Sequence, residues 1–176
     1  MNPKYIYFTS VLLIALLIAP SGRTQPNPES KAPVITNAFA VGKGYYGHIW
    51  KIYVEAEGPD ADMLRLALVV DQPGYGHYPT DWIYLRPQYG RHFKGYIQWN
   101  TFSSQTGYFH EWTQMTLKVS VLDKAGNESN AAVFPFAFVT GIPDQYGYEL
   151  PAPFNQGESP RLGHVTIDLV DPLALY

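Results

Sequence analysis

The chain has 176 residues, 12 Lys and Arg against 15 Asp and Glu, no Cys, and an aromatic share of 15%. A formal charge of -3 gives no basic surface for neutralising phosphates, so nucleic acid is excluded as an expected partner. The absence of Cys excludes a disulfide scaffold, thiolate zinc, iron–sulfur ligation and a Cys nucleophile. Stability must come from apolar packing, and this length allows one domain with a tail.

Met1 to Lys4 carries one positive side chain, and Tyr5 to Ala19 is uncharged and rich in Leu, Ile, Val and Ala. The run falls short of the roughly 20 apolar residues that span a bilayer. Small residues follow at Ala19, Ser21 and Gly22, then the polar, Pro-rich Gln25 to Pro28. This order predicts a secretory signal over residues 1–21 and a flexible linker over 22–32, hence a secreted, periplasmic or extracellular protein. The weakly basic start and Pro20 leave an uncleaved anchor as the other reading.

From Pro33 to Thr140 apolar residues alternate with polar ones in short runs broken by Gly, Pro, Asp and Asn, the pattern of strands half-buried in a sheet. An opening strand falls at Val34 to Val41. Trp50, Ile52, Val54 and Ala56 share one face of the second, against Lys51, Tyr53, Glu55 and Glu57. Leu64, Leu66, Leu68 and Val70 form the next apolar face, Asp81 to Leu85 a short Trp/Ile/Tyr strand, and Phe93, Gly95, Ile97 and Trp99 a further face. In that last face the glycine marks a bulge or a close approach. Met115, Leu117, Val119 and Val121, then Phe134, Phe136 and Phe138, complete seven strands. Pro135 predicts a sheet edge or bulge, since proline donates nothing to a ladder.

Two segments carry a family resemblance. Val54 to Asp62 followed by Leu64 resembles the second strand, loop and third strand of bacterial immunoglobulin-like and fibronectin type III-like domains, and Val119 to Ser129 resembles their final hairpin. The resemblance implies an all-β, seven-stranded antiparallel sandwich over residues 33–140. It implies no activity, because such domains serve as spacers, adhesion modules and attachments to enzymes. The tail, residues 141–176, is rich in Pro and Gly and reads as extended and weakly structured. Val165, Ile167 and Leu169 alternate with polar residues, which predicts an extra strand over 165–170 able to dock onto a partner's sheet edge.

Alternating strand directions send three similar loops to one end of the sandwich, Gly44 to His48, Gly74 to Tyr78 and Gly107 to Trp112, each with a Gly-Tyr start and a His soon after. Tyr45, Tyr46, Tyr75, Tyr78, Trp82, Tyr108 and Trp112 are the candidate ligand-binding residues, since Tyr and Trp offer flat faces with hydrogen-bonding tips. The alternative is that these rings fold back and plug the sandwich. His48, His77 and His110 are candidate metal ligands, three imidazoles that would leave a tetrahedral zinc one open position. No His-x-His or His-x-x-x-His pair places two of them together locally. At the other end Asp60, Asp62 and Asp123 suit calcium or, more simply, turns that bond their own backbone.

No Gly-x-Ser-x-Gly, phosphate-binding loop or His-Glu-x-x-His motif occurs. The expectation is therefore a non-catalytic, cofactor-free exported module that binds a protein partner in the envelope. A carbohydrate-binding module using the aromatic rim on a polysaccharide is the alternative, and a His-ligated metal-dependent hydrolase a distant third.

Overall fold

The computed structural model describes residues 31–110, 113–140 and 148–172. The expected signal, the linker up to residue 30 and Trp112 lie outside them. The described chain is all-β. It forms β1 (Val34–Ala40), β2 (Lys43–Gly44), β3 (Ile49–Glu57), β4 (Met63–Gln72), β5 (Gly76–His77), β6 (Asp81–Tyr84), β7 (His92–Asn100), β8 (Gln114–Asp123), β9 (Ala132–Phe138) and β10 (Arg161–His164).

Period-two alternation works here as physical chemistry requires, because successive side chains leave a strand on opposite faces. Trp50, Ile52, Val54 and Ala56 of β3 are fully buried, as are Leu117, Val119 and Val121 of β8 and Leu66, Leu68 and Val70 of β4. At the start of β4 the alternation slips: a register shift between Met63 and Arg65 turns Met63 inward and leaves Leu64 half-buried. The inner faces of both sheets contribute to one core cluster. At its centre Trp50 and Trp99 are register partners with rings 6.0 Å apart. Their indole N–H groups donate to Val41 O and Ile167 O, so neither large ring leaves an orphaned donor. Burying each ring contributes at most about 4–6 kcal/mol by area.

One sheet runs β1-β3-β7-β10; the other runs β2-β9-β8-β4-β5, with β6 also paired to β4. The expected seven-stranded, wholly antiparallel arrangement is corrected in two ways: the described residues hold ten strands, and both sheets are mixed, since β2 runs parallel to β9 and β10 parallel to β7. The added strands are two to four residues long, too short to show alternation. Val41 and Gly42 carry the chain from one sheet to the other without reversing it, which makes β2 a parallel partner. Pro135 sits in β9, where Ala137 and Val139 donate outward to Gly42 O and Gly44 O. Alternation points the nitrogen of Pro135 the same way, so the missing donor faces the edge and spares the β8 ladder.

The tail departs most from expectation. The described part from Tyr148 to Pro172 is packed rather than weakly structured, with Phe154, Val165, Leu169 and Asp171 buried. Phe154 covers Tyr53 on the outer face of β3, and Lys94 donates to the carbonyls of Pro153 and Gln156. The extra strand lies at Arg161–His164, not 165–170, and the run after it is extended, its Val165 N–H bonded to Gln98 O. Val165 and Leu169 face the protein's own core, so the predicted strand is not free to dock elsewhere. Gly95 marks close approach: a Cβ there would stand 2.5 Å from Pro160 O.

Candidate functional site

The loops sort to the two ends as the strand order predicts. At one end Gly58 N–H bonds Arg91 O, Met63 N–H bonds Gly90 O and Lys124 N–H bonds Asp62 O, tying three turns together. Asp123 closes its own hairpin by accepting from the backbone and side-chain nitrogens of Asn127, the Asx-turn chemistry expected of it. Burial and the neighbouring Asp123 and Asp60 push the Asp62 carboxyl up.

At the opposite end most of the Gly-Tyr loops turn inward. Tyr46 is half-buried, its hydroxyl 2.6 Å from Thr106 O, with its ring edge-on to Phe109 at 5.4 Å. Tyr45 is half-buried and edge-on to His48. Tyr78 is buried, donates to Gln72 Oε1 and accepts from Val170 N–H, while Gln72 Nε2 donates to Val170 O. Burial pushes the Tyr78 hydroxyl up to about 12. The tail is what joins the loops: Ser103 Oγ donates to Leu169 O, and His110 Nδ1 lies 3.3 Å from the buried carboxylate of Asp171. Tyr46, Tyr78 and Phe109 thus form an end plug, while Tyr75 and Tyr108 stay exposed.

The three imidazoles go separate ways. His48 is half-buried, stacked near Phe136, and burial lowers its pKa. His77 is exposed beside Asp71, and His110 pairs with Asp171. Among the described residues no three His, Asp or Glu side chains are grouped to hold a metal ion, so His48, His77 and His110 form no shared site. His48 turns toward the core, His110 toward the tail and His77 toward solvent.

Two surfaces do gather exposed aromatic and polar groups. The first is the outer face of the six-stranded sheet beside β6. Ile83 points into the core, so Trp82 and Tyr84 point out, 39% and 64% exposed. Arg65 is the register partner of Tyr84, and its guanidinium lies 4.1 Å from the Trp82 ring centroid. Among the described residues Arg65 has no ion-pair partner, and its Nε is buried without a hydrogen bond. The cation is thus held by the indole face rather than by a carboxylate. Tyr84 and Arg65 were not among the expected site residues, although the alternation of Asp81 to Tyr84 already puts both aromatics opposite Ile83.

The second is a groove of about 470 Å³ between the β5–β6 connection and the tail, lined by Tyr75, Tyr78, Asp81, Gln105 and Asp168 among others. Tyr75 stacks on Tyr78 at 4.5 Å and remains 42% exposed. No local signal reveals this groove, since its walls come from segments up to about 95 residues apart. No protein-family model matches the chain, and no curated protein matches it. Among the described residues no helix is long and apolar enough to cross a membrane.

Proposed function

We propose that the protein is an exported, non-catalytic interaction module of the cell envelope or extracellular space, built on an immunoglobulin-like or fibronectin-like sandwich. Setting aside β2, β5 and β10, the remaining strands divide into β1-β3-β7 and β9-β8-β4-β6, a three-plus-four division that supports this reading. The amino-terminal charge-then-apolar pattern supports export. The observation that carries the binding function is the face formed by Trp82, Tyr84 and Arg65, two rings standing out from the sheet with the Arg65 guanidinium over Trp82 and, among the described residues, without an ion-pair partner. These three residue types dominate the energetics of protein interfaces: Trp and Tyr bury large area at low rotamer cost, and the planar Arg guanidinium stacks on rings while donating hydrogen bonds. The partner is a protein of the same compartment.

The test compares wild-type protein with the Arg65→Ala/Trp82→Ala/Tyr84→Ala variant as bait for solubilised envelope proteins of the source cell. All three side chains sit on the outer face, so the variant keeps its fold by circular dichroism. A partner retained by wild type at least ten-fold over the variant supports the reading; equal retention contradicts it. The second reading, a carbohydrate-binding module, is favoured by the exposed Tyr75 in its polar groove.

A further inference from the structure

We propose that the groove between the β5–β6 connection and the tail is a binding site for a neutral saccharide. The inference rests on the second reading above and specifies where and what the module would bind. Its volume of about 470 Å³ lies in the range of about 300–1,000 Å³ typical of small-ligand clefts. Three features of the lining select the ligand class.

The first is the Tyr75 ring. It is stacked on buried Tyr78, whose own hydroxyl is fixed by Gln72 and Val170. Tyr75 is therefore an exposed aromatic platform on an immobile base, which suits the C–H face of a pyranose and loses little entropy on binding.

The second is a pair of carboxylates whose positions are set before any ligand arrives. Asp81 accepts from Trp82 N–H through one oxygen at 2.9 Å and from Thr166 N–H through the other at 2.6 Å. Asp168 accepts from the backbone N–H and the hydroxyl of Ser104. Each carboxylate oxygen has about two lone-pair sites, so each retains acceptor capacity for a hydroxyl. No ion pair engages either carboxylate among the described residues. Ligand hydroxyls are donors that these oxygens satisfy, whereas an anionic sugar would meet two like charges.

The third is Gln105, exposed at the same groove, with an amide that is both donor and acceptor. An aromatic face, fixed carboxylates and a side-chain amide around one groove match a ligand with an apolar ring face and a rim of hydroxyls.

The test is a titration of the ¹⁵N-labelled protein, followed by amide shifts, with cellopentaose, chitopentaose, laminaripentaose and maltopentaose, and with pentagalacturonate as the anionic comparison. At least one neutral pentasaccharide is expected to shift the amides of Tyr75, Asp81, Gln105 and Asp168. Tyr75→Ala should weaken that binding at least ten-fold and Gln105→Ala several-fold. Both positions are exposed, so both variants are expected to keep the fold, Gln105→Ala melting as wild type and Tyr75→Ala slightly lower for the loss of its stack on Tyr78. Trp82→Ala should change it less than two-fold. A neutral sugar that shifts only the Trp82 and Tyr84 face overturns the groove while leaving the carbohydrate reading standing. Failure of all four neutral sugars overturns both, and tighter binding of pentagalacturonate overturns the assignment to neutral ligands.

Discussion

Replacing Tyr78 by Phe removes one oxygen and nothing else, and the ring of hydrogen bonds around it sets the cost. The hydroxyl donates to Gln72 Oε1 at 2.5 Å and accepts from Val170 N–H at 2.8 Å. Gln72 is 1% exposed, so its carbonyl oxygen loses a partner where water does not reach, a penalty of about 1–3 kcal/mol. Val170 is half-buried and its N–H adds roughly 0.5–1 kcal/mol. The variant should therefore unfold about 2–3 kcal/mol more easily in urea at pH 7. Replacing Gln72 by Met in the same chain removes the stranded carbonyl, so the double variant should lose less than the sum of the two singles. The pH dependence gives a second check. Burial raises the Tyr78 pKa to about 12 from an ordinary 10, so the folded state holds this proton more tightly than the unfolded one. The resulting stability is fully present below pH 10 and lost as pH rises through 12, on the order of 2 kcal/mol in total. Phe at 78 carries no such proton, so the difference between wild type and variant should shrink across that window. A loss below about 0.5 kcal/mol at pH 7, or a difference unchanged between pH 10 and 12, would refute the claim that this ring pins the tail to the plug.

Other perturbations probe the same architecture. Gly95→Ala places a Cβ 2.5 Å from Pro160 O, a backbone atom that cannot swing away; about 1–3 kcal/mol of destabilisation and faster proteolysis within residues 155–165 are expected in a limited trypsin digest, since Arg161 lies there. His48 is held below its ordinary 6.5 by burial, so its contribution is fully present above pH 6.5 and declines as pH falls through the lowered value. Thermal midpoints between pH 7 and 5 should drop more for wild type than for His48→Gln.

Strands that span nine or ten residues, such as β3, β4, β7 and β8, were legible in the sequence because each buries one face. Period-two alternation then reports burial directly. The edge placement of Pro135 and the close approach at Gly95 followed from what those two residues cannot do or uniquely permit. Legibility failed where structure depends on distant partners. The position of β10 is set by Tyr96, Ile97 and Gln98 on β7, not by the Val165–Leu169 alternation, whose apolar side serves the core. The Gly-Tyr loops share a composition but not an environment, because the tail covers Tyr78 and meets His110 while leaving Tyr75 and Tyr108 open. Three histidines in similar loops read alike along the chain and are separated only by folding.

The most direct measurement of the central claim is site-specific photo-crosslinking in the source cell, with a photoreactive benzoyl group carried at position 84. Position 133, where Val133 is 55% exposed on the same sheet, serves as the comparison. One discrete protein adduct is expected from position 84, absent from position 133 and lost when Trp82 and Arg65 are both changed to Ala. No adduct, or the same adducts from both positions, would contradict a binding face built on Trp82, Tyr84 and Arg65.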